Sequence, residues 1–141
     1  MVKIRVLIAD DNRPMRERIV SMLESEFDVV KAVSDGQEVV TGVAELHPDV
    51  VVLDISMPVL NGIEAARQVA ELNGNTRIVF VTVKTDAPIV HAALATGALG
   101  YVLKPRLGPD LVLAIKSALA GRRFVSPGLE QNLNRLSKLP G

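Results

Sequence analysis

Residues 50–62 read VVVLDISMPVLNG, and this stretch sets the pattern for the whole chain. Val50 to Leu53 is a short run with no polar face, β-branched at three of its four positions, as expected of a strand covered on both sides. Asp54 ends the run, and Asn61-Gly62 offers a helix start. Beyond it, Ile63, Ala66, Ala70 and Val69 make an apolar stripe while Glu64, Arg67 and Glu71 point to water, which is the period of an amphipathic helix. A fully apolar strand followed by a helix with one wet face is half of a βαβ unit.

The same rhythm recurs on both sides of this stretch. Strands are predicted at Ile4 to Ala9, Val29 to Val33, Val50 to Leu53, Ile78 to Val83 and Gly100 to Leu103. Each is followed by a helical pattern. Asn12 caps the first helix, with Pro14 tolerated in its opening turn, where its missing N–H would have no partner anyway. Asp35-Gly36 opens the second, Asn61-Gly62 the third, Asp86-Ala87-Pro88 the fourth and Gly108-Pro109-Asp110 the fifth. Pro48-Asp49 and Asn73-Gly74-Asn75 supply returns to the sheet. Right-handed crossovers then give an α/β fold, a five-stranded parallel sheet with helices on both faces. The expected division is one domain over 1–121 and a linker or exit helix over 122–141, where the only periodic feature is Leu129, Leu133 and Leu136.

Composition narrows the function. The 141 residues suit one core of ordinary size. With 16 basic and 16 acidic side chains the formal net charge is zero, so no global field draws the chain to nucleic acid or to an anionic membrane. Cysteine is absent, which removes disulfides, thiolate nucleophiles and cysteine metal sites. The opening MVKIRVLIAD is interrupted by Arg5 and ended by Asp10-Asp11 too early for a signal peptide, so the expected location is the cytoplasm, with no membrane partner.

In an open parallel sheet the ligand site lies beyond the carboxyl ends of the strands. Asp10 and Asp11 follow the first strand, Asp54 the third and Lys104 the fifth, and Thr82 lies near the end of the fourth. Clustered carboxylates repel one another unless a cation neutralises them, and hard oxygen donors without His or Cys favour Mg²⁺, which readily shares a phosphate oxygen. A carboxylate can attack phosphorus, an ammonium can pair with phosphoryl oxygens, and a hydroxyl can donate to them. The rim therefore suits a metal and a phosphoryl group.

These residues, with the segment Val51 to Pro58 followed by Asn61-Gly62, Tyr101 and Lys104-Pro105, closely resemble the receiver domain of bacterial response regulators in two-component signalling. The resemblance runs from Lys3 to about Gly121. It is closest to receivers that precede a helix-turn-helix output domain, through Gly97 to Lys104 and Gly121 to Pro127, and the residues after Gly121 are not expected to hold such a domain. The resemblance implies a doubly wound, flavodoxin-like sheet of order 2-1-3-4-5 and a phosphoacceptor at Asp54. It implies Mg²⁺ bound by Asp11, Asp54 and the backbone carbonyl of Ser56, with Asp10 holding a metal-bound water. Thr82 would bond the phosphoryl group, Lys104 would pair with it across a Lys104-Pro105 peptide that is often cis in the family, and Tyr101 would turn inward as Thr82 moves. The implied partner is a sensor histidine kinase, the switch surface the fourth helix, fifth strand and fifth helix, and a homodimer is compatible with it. DNA binding would belong to the missing output domain. One residue departs from the pattern: Val83 stands where the family usually has Ala or Gly.

Two other functions fit parts of the pattern. A haloacid-dehalogenase-type phosphatase would need an acid two residues after its nucleophile, and Ser56 holds that place, so turnover of external substrates is not expected. A module that only dimerises would not need Asp11, Asp54, Thr82 and Lys104 together, though Val83 leaves it as the alternative. His47 and His91 sit on predicted helices without partners at ligand spacing and read as surface or packing residues. Neither G-x-x-x-x-G-K nor G-x-G-x-x-G occurs.

Overall fold

The computed structural model describes residues 3–129. In chain order the elements are β1 (Arg5–Ala9), α1 (Arg13–Leu23), β2 (Asp28–Val33), α2 (Gly36–Leu46), β3 (Val50–Leu53), α3 (Gly62–Leu72), β4 (Arg77–Thr82), α4 (Ala87–Leu94), β5 (Gly100–Leu103), a 3-10 turn (Lys104–Arg106), α5 (Leu107–Leu119) and β6 (Phe124–Val125). The sheet is parallel throughout, in the order β2-β1-β3-β4-β5-β6. The expected 2-1-3-4-5 order and flavodoxin-like fold hold. The sheet has six strands rather than five, because Phe124 and Val125 pair with Gly100 and Tyr101 and cover the outer edge of β5.

Alternate residues of each strand feed two separate cores. Val6, Ile8, Val50, Val52, Val79, Val81 and Val102 pack against α1 and α5. Leu7, Ala9, Val51, Leu53, Phe80 and Tyr101 pack against α2, α3 and α4. Helices thus cover both faces, and the interior strands have no wet side, which is why they read as unbroken apolar runs. On α3 the buried residues are Gly62, Ala65, Ala66 and Val69, whereas Ala70 is exposed. Of the expected stripe, Ala66 and Val69 are buried and Ile63 packs against the core, but Ala65 rather than Ala70 completes it, because alanines at 65, 66 and 70 left the helix phase ambiguous.

Three helix caps form as anticipated: Asn12, Asp35 and Asn61 each accept a backbone N–H three residues on, at 2.9, 2.8 and 2.9 Å. Asp86 makes no side-chain cap bond. The fifth helix starts earlier than Gly108, at Leu107, directly after the 3-10 turn, and Asp110 is a buried ion-pair partner rather than a cap. Leu129 is buried in the α2–α4 core, whereas Leu133, Leu136 and any exit helix there lie outside the described residues.

Candidate functional site

The parallel register brings the carboxyl ends of β1, β3, β4 and β5 to one rim, with Ala9 beside Leu53 and Thr82 beside Leu103. Asp54 leaves β3 with its N–H bonded to the Ala9 carbonyl at 3.0 Å. The loop then folds back tightly, and Gly62 N–H bonds to the Ile55 carbonyl at 2.7 Å. A Cβ at Gly62 would overlap the Asp54 carbonyl oxygen, so only glycine lets α3 begin this close to the acidic centre. Val59, at the turn's tip, has φ +68° and is exposed.

Asp10 and Asp54 are buried and Asp11 is exposed. Oxygens of the three carboxylates lie within 4.8 Å of one another. Lys104 reaches in from the end of β5, with Nζ at 3.0 Å from Oδ2 of both Asp10 and Asp54. Oδ1 of Asp54 accepts the Ile55 N–H at 2.7 Å, and Oδ1 of Asp10 accepts the Asn12 N–H at 2.9 Å. Burial pushes the Asp54 carboxyl above its ordinary range; pairing with Lys104 and the Ile55 N–H pulls it down less, and the charge of Asp10 adds to the upward push. Burial opposes the Lys104 ammonium, but its pairing with the two carboxylates prevails and raises its pKa.

The donor set can be tested against Mg²⁺. Oδ2 of Asp10 is enclosed and receives no directed hydrogen bond; Lys104 stands at ion-pair distance but off the hydrogen-bonding direction. A buried carboxylate oxygen left in that condition, beside two more carboxylates and no nitrogen or sulfur donor, suits a hard divalent cation. The exposed Ser56 lines a cavity of about 640 Å³ with Asp11, Met57, Asn61, Glu64 and Arg67, open to solvent at the same rim. These residues fit Mg²⁺.

Thr82 is buried, and its Oγ1 accepts the Lys84 N–H at 3.2 Å. Tyr101 already points inward, fully buried, tilted against Phe80 with ring centroids 6.3 Å apart. Its hydroxyl donates to the Lys84 carbonyl at 2.8 Å, so Thr82 and Tyr101 hold the two sides of one residue's backbone. Burial, then the charges of Asp54 and Asp86, lift the Tyr101 phenol above its usual value. Val83 lies just past β4 rather than in it, and its side chain is exposed. The Lys104–Pro105 peptide is trans, in contrast to the expectation from resemblance, and Pro105 sits within the 3-10 turn. His47 is the exposed C-cap of α2 at φ 46°, and His91 is partly buried on α4; neither joins the acidic cluster.

Sequence reasoning passed over Ser126, Asp110 and Arg106. Ser126 is wholly buried and bonds both Leu103 and Asp110. The available signal was weak, since a two-residue strand has no readable period and Asp110 resembled an ordinary helix-start acid.

Residues 6–116 match the response regulator receiver domain family. The transcriptional regulatory protein DegU of Brevibacillus brevis is 36% identical over 134 residues, which is 93% of this chain and 56% of the relative. The response regulator GacA of Pseudomonas viridiflava is 36% identical over 92% of the chain and 62% of its own length. The chain thus spans about 56–62% of these relatives. Among solved structures, a LuxR-family two-component response regulator from Aurantimonas sp. SI85-9A1 aligns over 97% of the chain and 99% of its own, with TM-score 0.90 and 32% identity. The response regulator domain of Thermotoga maritima CheB aligns over 85% of the chain and 98% of its own, with TM-score 0.79 and 34% identity. Sequence, sheet order and the strand-end constellation agree, and the chain belongs to the response regulator receiver domain family of two-component signalling.

Proposed function

We propose that this chain is a phosphoacceptor switch in which Asp54 receives a phosphoryl group from a sensor histidine kinase in the cytoplasm. Receiver domains are signalling domains rather than classical enzymes, and the chemistry expected of Asp54 is self-phosphotransfer followed by autodephosphorylation. The observation that carries the reading is Asp54 itself: buried at the rim, with one oxygen held by Ile55 N–H and the other on Lys104, among two further carboxylates. An Asp54 carboxylate oxygen would attack phosphorus, the bond from phosphorus to the donor would break with its electron pair leaving on the donor, and an acyl phosphate would remain. Bound Mg²⁺ would offset the repulsion between an anionic nucleophile and an anionic donor.

Asp10, Asp11, Asp54 and the Ser56 carbonyl would hold the metal. Lys104 would transfer its pairing from the carboxylates to the new phosphoryl oxygens. Thr82 would donate to a phosphoryl oxygen and release its bond from Lys84 N–H, loosening the loop that Tyr101 also grips. The consequence would spread over α4, β5 and α5, where a partner or a second copy of the chain would read it. In a longer protein of the relatives' size the reader would be a DNA-binding output domain; this chain alone is not expected to recognise DNA. Among the described residues no helix is long and apolar enough to cross a membrane. The alternative, a module acting mainly in dimerisation without efficient phosphotransfer, draws on the exposed Val83 beside the site and Leu113 exposed on α5.

Intact mass spectrometry tests the reading. With Mg²⁺ and a small phosphodonor the wild type should gain a single acid-stable, base-labile phosphoryl group, and chelating the metal should abolish the gain. Labelling of Asp54→Asn at the wild-type rate would refute it.

A further inference from the structure

Residues 122–129 do not leave the domain as a free tether. Phe124 N–H bonds to the Leu99 carbonyl at 2.8 Å and Ser126 N–H to the Tyr101 carbonyl at 2.9 Å, which extends the sheet along β5. One residue further the ladder would need another acceptor for Leu103 N–H, but Pro127 turns the chain away. The Ser126 hydroxyl fills that place, accepting from Leu103 N–H at 3.0 Å and donating to Oδ2 of Asp110 at 2.8 Å. Asp110, only 3% exposed, also takes Nε of Arg106 at 2.9 Å and Nη2 at 3.2 Å.

Lys104 is the residue between these anchors. Leu103, just before it, is held by Ser126; Arg106, at the far end of the 3-10 turn, is held by Asp110; and Ser126 joins the two clamps. Its centre, Ser126 and Asp110, is buried and hydrogen-bonded, the condition in which polar groups specify one arrangement, while Arg106 closes it from the half-exposed side. The Nζ of Lys104 meets Asp10 and Asp54 at 3.0 Å from a backbone that, among the described residues, this clamp fastens on its outer side. We propose that Ser126 and Asp110 are positioning residues for Lys104, so that the segment after α5 is part of the phosphoryl-site apparatus. This rests on the phosphoacceptor reading above, and binding linkage makes it reciprocal: whatever pulls β6 away also disturbs Lys104.

The test uses the full chain as wild type, Ser126→Ala and Asp110→Asn, with three measurements: Asp54 labelling by acetyl phosphate, Mg²⁺ affinity, and the Nζ resonance of Lys104 from ¹⁵N-lysine labelling. Losing the hydroxyl should slow labelling roughly tenfold with Mg²⁺ affinity changed less than about twofold, the size expected from one buried hydrogen bond. The Lys104 resonance should move towards that of solvent-exposed lysines. Asp110→Asn keeps an acceptor for Ser126 but loses the ion pair with Arg106, so it should fall between the two; it also decides the matter if Ser126→Ala does not fold. Labelling at the wild-type rate in both variants would overturn the proposal, as would a loss of labelling and Mg²⁺ affinity in step, which is what general destabilisation produces. If the wild type itself takes no label, the phosphoacceptor reading fails, and an unmoved Lys104 resonance in the variants would then overturn the positioning role separately.

Discussion

Replacing Asp54 by Asn should stabilise the metal-free fold while abolishing its chemistry. Without a divalent cation the rim, among the described residues, sets three carboxylates against the Lys104 ammonium, with the Arg16 guanidinium held on the Asp10 carbonyl at 2.8 Å. At an effective dielectric of about 20, two charges 4.8 Å apart repel by about 3 kcal/mol, and the pair at 3.0 Å between Lys104 and Asp54 attracts by about 5 kcal/mol. Removing the Asp54 charge recovers the repulsion from Asp10 and the cost of burying the ion. It forfeits an attraction that Lys104 partly keeps through Asp10. The balance leans against the charged form, as the raised carboxyl of Asp54 requires. The expected gain near neutral pH is about 1–2 kcal/mol, or about 4 °C in Tm per kcal/mol for a chain of this size.

The pH dependence follows in sign. A carboxyl whose folded-state pKa is raised contributes stability below its unfolded value, near 3.8, and loses it as pH climbs through the folded value. The advantage of Asp54→Asn should therefore grow as the pH rises through the folded value and vanish as the pH falls towards 3.8. Saturating Mg²⁺ should close the gap, because at about 100 times the dissociation constant it adds about 2.7 kcal/mol to a fold that binds it fully. Urea unfolding in EDTA and in Mg²⁺ measures all of this. A variant less stable than wild type in EDTA, at equal m-value, would refute the electrostatic reasoning.

Three further outcomes are expected. Gly62→Ala should lose about 3 kcal/mol in urea unfolding, since its Cβ meets the Asp54 backbone oxygen and neither backbone can yield cheaply. If the methyl groups of Val83, exposed just past Thr82, crowd the route to Asp54, Val83→Ala should label faster with small phosphodonors and hydrolyse faster as well; equal rates in both proteins would show the residue to be silent. Selection from random DNA duplexes at near-physiological salt should enrich no motif, phosphorylated or not, since Arg122, Arg123, Arg135 and Lys138 offer only weak, salt-sensitive attraction.

The local code was readable residue by residue. Unbroken runs such as Val50 to Leu53 could only be strands buried on both faces, and Asn12, Asp35 and Asn61 announced helix starts through bonds reaching three residues. Because acids and a lysine fell at the ends of such strands, the sequence alone was enough to gather Asp10, Asp11, Asp54, Thr82 and Lys104 at one rim. Contacts between distant segments were different. No periodicity shows that two residues, Phe124 and Val125, will find the edge of β5, or that Ser126 will complete the ladder for Leu103, because a strand that short is stabilised by its neighbour rather than by its own pattern. The phase of α3, with Ala66 inward and Ala70 exposed, was set by packing against the sheet, to which alanines at 65, 66 and 70 were indifferent. Asp110 likewise looked like a helix-start acid until tertiary folding placed Arg106 and Ser126 around it, for a buried charge takes its role from the partners that the fold brings to it.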